Sequence, residues 1–294
     1  MFRSLPDIPF HEIGLDELPK HSPWPARLLG DAPFVASQKT RDEIQREFGR
    51  DKWGTLLARA RSDRAGVSIQ TVEGWERGTE PESLCSFGDR IGFAPSEEAG
   101  SHAIAVIAAV LRNYYPADAL VELGAGYGHK VLSLAKLEPF SGAPLIAGEI
   151  TQSGRDLMML IASESGLTVR SVACDLGSAS ITDAQIPRGA VLFTSYAAHY
   201  VPDSIDSMLR GLANLHPKMV VHFEPLYEHH DRHSLLGLLR RRYIEANGYN
   251  KNLLTSIQKF ASAGNAEIVD EVPSVFGLNP LLPFSIVSWR PIAA

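Results

Sequence analysis

The sequence predicts an α/β fold: a doubly wound, mostly parallel sheet with an antiparallel C-terminal edge, preceded by a mostly helical N-terminal cap over residues 1–99. Three observations carry this. From about residue 100, short apolar runs alternate with helical stretches, the pattern of parallel strands joined by crossovers. The chain closes on "AEIVDEVPS" and "FSIVSWRP", two strands with little helix between them, which reads as an antiparallel edge. The first strand of the alternating part runs straight into a glycine-rich turn, where sheets of this class place their ligands.

The elements follow in order. Residues 1 to about 35 are rich in proline and irregular, pinned by Trp24 and Phe34. Residues 37–48 and 51–62 read as helices, the second with Trp53, Leu56, Leu57 and Ala60 on one face. A third short helix spans 68–78 and stops at Gly78; the stretch after it is turn-rich and reads as a connector. The alternating part, residues 100–294, opens with an apolar-striped helix that Pro116 stops. The strand "DALVEL" follows, then a helix over 128–137 and the strand "APLIAGEI". A helix over 153–165, strands "VRSVACDL" and "GAVLFTSY", a helix over 203–215 and the strand "MVVHFEP" come next. Helices over about 231–246 and 250–263 precede the closing strand pair, with an Asn-Gly turn signal between them.

Net charge is −6, and acids outnumber bases in the first hundred residues too, so a nucleic acid partner is not expected. Arg240–Arg242 is the one basic cluster and reads as a solvated helix face. Two cysteines exclude a disulfide framework and offer no zinc spacing. The first twenty residues lack the apolar core of a secretory signal, and the longest helix-like apolar run, 103–111, is too short for a bilayer. A soluble, cytoplasmic protein with no membrane partner is expected.

The turn is "VELGAGYGHK", with glycines at 124, 126 and 128. A dinucleotide fingerprint, G-x-G-x-x-G, would need glycine at 129, which is His129. Glu122 ends the strand where such a sheet stays apolar, and a buried carboxylate is costly unless something satisfies it. "VELGAGYG" resembles motif I of the class I S-adenosylmethionine-dependent methyltransferases, written [DE]-x-G-x-G-x-G. The resemblance covers residues 100–294 and implies a Rossmann-like domain with S-adenosyl-L-methionine as cofactor. It implies that Gly124, Gly126 and Gly128 cradle the amino acid end of that molecule and that Glu122 belongs to the same network. It further implies that Glu149 takes the two ribose hydroxyls, and that Asp175 accepts from the adenine amino group beside Leu176.

The methyl acceptor belongs at the ends of the fourth and fifth strands. There "TSYAAHYVP" supplies Tyr196, His199 and Tyr200, and "HFEPLYEHH" supplies His222, Glu224, Tyr227 and Glu228. His199 and His222 are candidate bases, Glu224 a candidate acid at the reacting end. Glu224 and Glu228 with nearby tyrosines would suit a cation, since a guanidinium pairs bidentately with a carboxylate. A guanidino or amino nitrogen of an arginine-like amino acid is therefore the expected acceptor, in specialised metabolism. The alternative is a hydroxyl of a sugar or related metabolite, deprotonated by His199 or His222. Tyr249 and Asn250 are expected at the pocket mouth, on a lid over 226–263. Six of the ten histidines fall between 199 and 233, but no metal site is expected. The N-terminal helices are expected to wall the pocket or form a homodimer contact. Two rivals of other classes remain: a nicotinamide-dependent oxidoreductase, against the glycine spacing, and a non-catalytic adenosylmethionine-binding partner.

Overall fold

The computed structural model of the chain describes residues 7–35, 40–63, 66–177, 180–181, 186–201 and 205–292. Residues 37–39 of one predicted helix and 203–204 of another lie outside the described residues.

The N-terminal region is not only helical. It begins with strand β1 (His11–Ile13), then short helices α1 (Leu18–His21) and α2 (Trp24–Leu29). Helix α3 (Arg41–Ile44) opens on a capping box in which the Thr40 hydroxyl accepts from the Glu43 N–H and Glu43 reaches back. It runs into a π-helical segment, Gln45–Lys52, and then α4 (Trp53–Ser62). Trp53, Leu56, Leu57 and Ala60 are buried, as their spacing predicts. Helix α5 (Ile69–Arg77) follows.

The expected connector is instead a hairpin, β2 (Glu82–Phe87) and β3 (Arg90–Pro95). Gly88 at φ 60° and Asp89 form its two-residue turn. The signal was present: alternating runs flank Gly-Asp.

Helix α6 (Ser96–Arg112) leads into β4 (Leu120–Leu123), α7 (His129–Leu134), β5 (Leu145–Glu149) and α8 (Gln152–Glu164). Next come β6 (Arg170–Asp175), a two-residue β7 (Ser180–Ile181), β8 (Val191–Ser195) and α9 (Ile205–Asn214). The chain continues through β9 (Met219–Glu224), α10 (Leu235–Ala246) and α11 (Leu253–Ser262), with Asn247–Gly248 turning between the two helices. It closes with β10 (Ala266–Gly277) and β11 (Phe284–Pro291).

Among the described residues, eleven strands form one sheet in the order β1-β3-β2-β10-β11-β9-β8-β4-β5-β6-β7. Strands β6, β5, β4, β8 and β9 are parallel, and β11 and β10 are antiparallel, as the two closing runs predict. That pair is not the edge, however. Phe276 and Gly277 of β10 pair with Phe87 and Ser86 of β2, so the N-terminal hairpin extends the sheet beyond it. The period of two sorts the side chains. Val191, Phe193, Val221 and Phe223 join the core under α4 to α8, while Leu192, Val220, Val287 and Trp289 join the one under α9 and α11.

Arg240 departs from the solvated face expected of Arg240–Arg242. It is 1% exposed. Its guanidinium donates to the carbonyls of Pro280 (3.0 Å) and Gly88 (2.8 Å) and pairs with Asp89 at 2.6 Å. Its fork thus fastens the β2–β3 turn to α10. Arg240→Leu is expected to cost about 2–3 kcal/mol, because two carbonyls lose a buried charged donor while the exposed Asp89 stays solvated. Arg240→Lys is expected to recover little, since one ammonium cannot reach three acceptors in a plane. Urea unfolding midpoints check this; a change within error would show the fork contributes nothing.

Candidate active site

The carboxyl ends of β4, β5, β6 and β8 open on one cavity of about 630 Å³. Its floor is the glycine turn. Gly124 and Gly126 sit at φ 75° and 56°, the left-handed region that L side chains avoid. A Cβ at Gly126 would lie 2.9 Å from the Trp53 ring, so only glycine admits the Trp53 cover. Glu149, Cys174, Asp175, Leu176, Ala197, Tyr196 and Tyr200 line the walls. Cys174 is an inert wall, since burial pushes its thiol up to about 12.

The three strand-end acids have different partners. Glu122 is buried behind the turn and does not line the cavity. Its Oε2 accepts the Val131 N–H at 3.0 Å in the first turn of α7, where the helix dipole favours a negative charge. Its Oε1 is buried with no partner among the described residues, and desolvation pushes the carboxyl up to about 7. Glu149 does line the cavity. Its Oε1 accepts from the Thr151 N–H (2.9 Å) and hydroxyl (2.7 Å), and its Oε2 from the Gly126 N–H (2.9 Å). A carboxylate has about four acceptor positions, so roughly one remains for a ligand. Asp175 caps the Gly177 N–H at 3.1 Å and faces Arg41 at 3.6 Å. Gly128 sits at φ 79° beneath the turn, away from the cavity.

At the other end of the cavity the structure redistributes the expected roles. Glu224 is fully buried, and its carboxylate accepts from the N–H groups of Ala197 (2.9 Å), Ala198 (2.9 Å) and His199 (3.3 Å). The His199 Nδ1 lies 3.0 Å from its Oε2. Burial alone would raise this carboxyl, but the His199 ring and the amide donors outweigh it and hold it below its ordinary value. Glu224 therefore holds the loop after β8 and has no face left for a cationic acceptor.

His222 does not act on the cavity either. The Trp289 indole N–H donates to its Nε2 at 3.1 Å, so the hydrogen of the neutral ring sits on Nδ1 and goes to the Thr194 hydroxyl at 2.9 Å. Alternation along β9 turns it into the core under α9 and α11, beside Trp289. Desolvation lowers it to about 4.

Two buried groups thus titrate in opposite senses. The folded value of His222 lies below the ordinary 6.5, so the unfolded chain takes the proton first. Its contribution is complete above pH 6.5 and is lost as pH falls toward 4, by roughly 3 kcal/mol. Glu122 is raised above 4.5, so its contribution is complete below pH 4.5 and is lost as pH climbs through 7. Urea midpoints between pH 6.5 and 4 are expected to fall less steeply in His222→Gln than in the unsubstituted chain. Equal slopes would show that His222 does not carry this acid sensitivity.

Of the expected acceptor contacts, only Tyr196 and Tyr200 line the cavity. Tyr249 packs edge-on against His199 at 4.6 Å, in the layer behind. The Asn250 N–H donates to the His199 carbonyl at 2.8 Å, and its side chain bonds Asn252. Tyr227 and Glu228 lie elsewhere: the Tyr227 hydroxyl donates to Glu245, and Glu228 Oε1 accepts the Thr255 N–H in the first turn of α11. The cover over the cavity comes from the N-terminal region instead, through Thr40, Arg41, Ile44, Phe48 and Trp53. Phe48 meets Trp53 at 5.8 Å and Tyr200 at 5.2 Å. The signal available for these residues was the Thr40–Glu43 capping box, which marks where the covering helix begins. A pocket wall was one of the two roles expected of the N-terminal helices; which of their residues reach the cavity was not in the spacing.

Among the described residues no group of three or more His, Cys, Asp or Glu side chains could hold a metal ion, and no helix is long and apolar enough to cross a membrane.

No protein-family model and no curated protein sequence matches this chain. Solved structures do. A putative sarcosine dimethylglycine methyltransferase from Galdieria sulphuraria aligns with a TM-score of 0.50 at 13% identity, over 67% of this chain and 88% of that one. The geranyl diphosphate C-methyltransferase of Streptomyces coelicolor A3(2), solved with Mg2+, geranyl diphosphate and S-adenosyl-L-homocysteine, gives 0.48 at 12% identity, over 87% of this chain and all of that one. An S-adenosylmethionine-dependent methyltransferase from Clostridium acetobutylicum ATCC 824 gives 0.46 at 11%, over 66% and 91%. The first likeness shows a shared α/β, Rossmann-like fold.

Proposed function

We propose that this protein is an S-adenosylmethionine-dependent methyltransferase acting on a small molecule. One observation carries the reading: a left-handed glycine turn and the acids at the ends of β5 and β6 meet on a single cavity of ligand size. The orphaned Oε1 of Glu122 behind the turn supports it, since a buried acceptor without a donor costs about 1–3 kcal/mol and a water held under the turn by a ligand ammonium would satisfy it.

In this reading Gly124 and Gly126 let the backbone approach the amino acid end of S-adenosylmethionine, with Glu122 as countercharge. Glu149 accepts from the ribose with its remaining position, and Asp175 and Leu176 receive the adenine. When bound, the molecule supplies an electrophilic methyl group on a sulfonium. Trp53, Phe48, Tyr196 and Tyr200 exclude water around the reacting end and align the acceptor. The expected guanidino acceptor rested on a free Glu224; with that carboxylate taken by the loop after β8, a nitrogen cation has lost its anchor.

Isothermal titration tests the reading. S-adenosylmethionine and S-adenosylhomocysteine are expected to bind, and NADH is not. Binding of NADH alone would restore the oxidoreductase, and absence of all binding by folded protein would remove the reading.

A further inference from the structure

We propose that His199, held by Glu224, is the base that takes the acceptor's proton, and that the acceptor group is a neutral hydroxyl; this rests on the methyltransferase reading above. Two expected site residues, spaced 25 apart in sequence, turn out to be one unit, with Nδ1 3.0 Å from Oε2. The carboxylate also accepts the backbone N–H of His199, and Asn250 donates to its carbonyl, so the residue is fixed on both sides. A carboxylate accepts only, so Nδ1 carries the hydrogen, and in the neutral form of the ring the lone pair is on Nε2. That Nε2 is buried and has no partner among the described residues, although Tyr196, Tyr200 and Tyr249 surround the ring. Tyr200, which lines the cavity, lies over the ring with centroids 4.1 Å apart, so it must turn aside for an acceptor to arrive.

The geometry separates hydroxyl from guanidinium. A guanidinium needs a carboxylate with an open face. Glu224 has four donors already, Glu149 has three, and Asp175 faces Arg41. An unprotonated imidazole nitrogen instead matches a neutral O–H. In the step, the O–H bond breaks and its proton goes to the Nε2 lone pair. The oxygen uses the freed pair to form the bond to the methyl carbon, whose bond to sulfur breaks with its electrons left on sulfur. Positive charge leaves sulfur and appears on the His199 ring, where the Glu224 carboxylate stabilises it. Glu224 is a positioning residue here, not a catalytic one.

The test uses the full chain with saturating S-adenosylhomocysteine, whose binding is first established by titration; no binding would remove the methyltransferase reading itself. Long-range 1H–15N spectra then report the tautomer of His199, assigned through its contacts with the Tyr200 and Tyr249 rings. The expected result is hydrogen on Nδ1, with a saturable upfield shift of Nε2 on adding phenol or methyl glucoside and none with arginine. Glu224→Gln is expected to mix the two tautomers; if that variant does not fold, the unsubstituted chain still decides the matter. Hydrogen on Nε2, a shift with arginine alone, or no shift with either hydroxyl probe would overturn the proposal. A shift with phenol only, or with the glucoside only, supports it and identifies which source of hydroxyl the aromatic walls accept.

Discussion

Glu149→Ala is expected to lower affinity for S-adenosylhomocysteine by about 100-fold, corresponding to about 3 kcal/mol. The size follows from two losses. A charged hydrogen bond to a ligand hydroxyl is worth about 1.5–3 kcal/mol. The carboxylate also pins the Gly126 N–H and both donors of Thr151, so its removal frees the glycine turn that forms the floor of the cavity. Glu149→Gln is expected to fall nearly as far. Its amide oxygen can keep the Thr151 donors, but its NH2 then faces the Gly126 N–H, donor against donor. Calorimetric titration of the two variants checks this. Unchanged affinity in Glu149→Ala would show that the ligand does not use the end of β5, and would take the cofactor assignment with it.

The second large effect is on stability. Glu224→Ala is expected to cost about 3–5 kcal/mol, the usual loss when one member of a buried, hydrogen-bonded charge network is removed. Three amide N–H groups and the His199 ring lose their acceptor in a place water does not reach. The acid limb of the stability profile is expected to change too. The carboxyl is held below its ordinary 4.5, so its contribution is complete above that value and is lost as pH falls further. The variant should therefore lose less stability than the unsubstituted chain below pH 4.5. Urea midpoints at pH 7 and pH 3.5 read both effects; a cost under about 1 kcal/mol at pH 7 would mean the loop after β8 holds itself.

The sequence by itself determined the parallel core, the antiparallel closing pair and the glycine turn. These depend on local periodicity: apolar runs of strand length, helical stripes between them, and glycines at 124, 126 and 128 that count against a dinucleotide fingerprint. It also placed acids at the ends of β4, β5 and β6, because a strand end is a local property. What an acid does there is not local. Glu224 was legible as a strand-end carboxylate, but its partners lie 25 to 27 residues back in the chain, and only folding showed that they consume it. His222 and His199 look alike in sequence; the first is tied by Trp289, 67 residues away, and the second is left with a nitrogen that has no partner among the described residues. The hairpin of β2 and β3 carried a turn signal, yet its outlet is β10, nearly at the other end of the chain. Tertiary structure likewise decided that the cover of the cavity is Phe48 and Trp53 rather than the segment after β9. Periodicity states which face of an element is apolar. It does not state which distant backbone N–H or ring that face will meet, and in this protein those meetings separate the groups that hold the fold from those left open to a ligand.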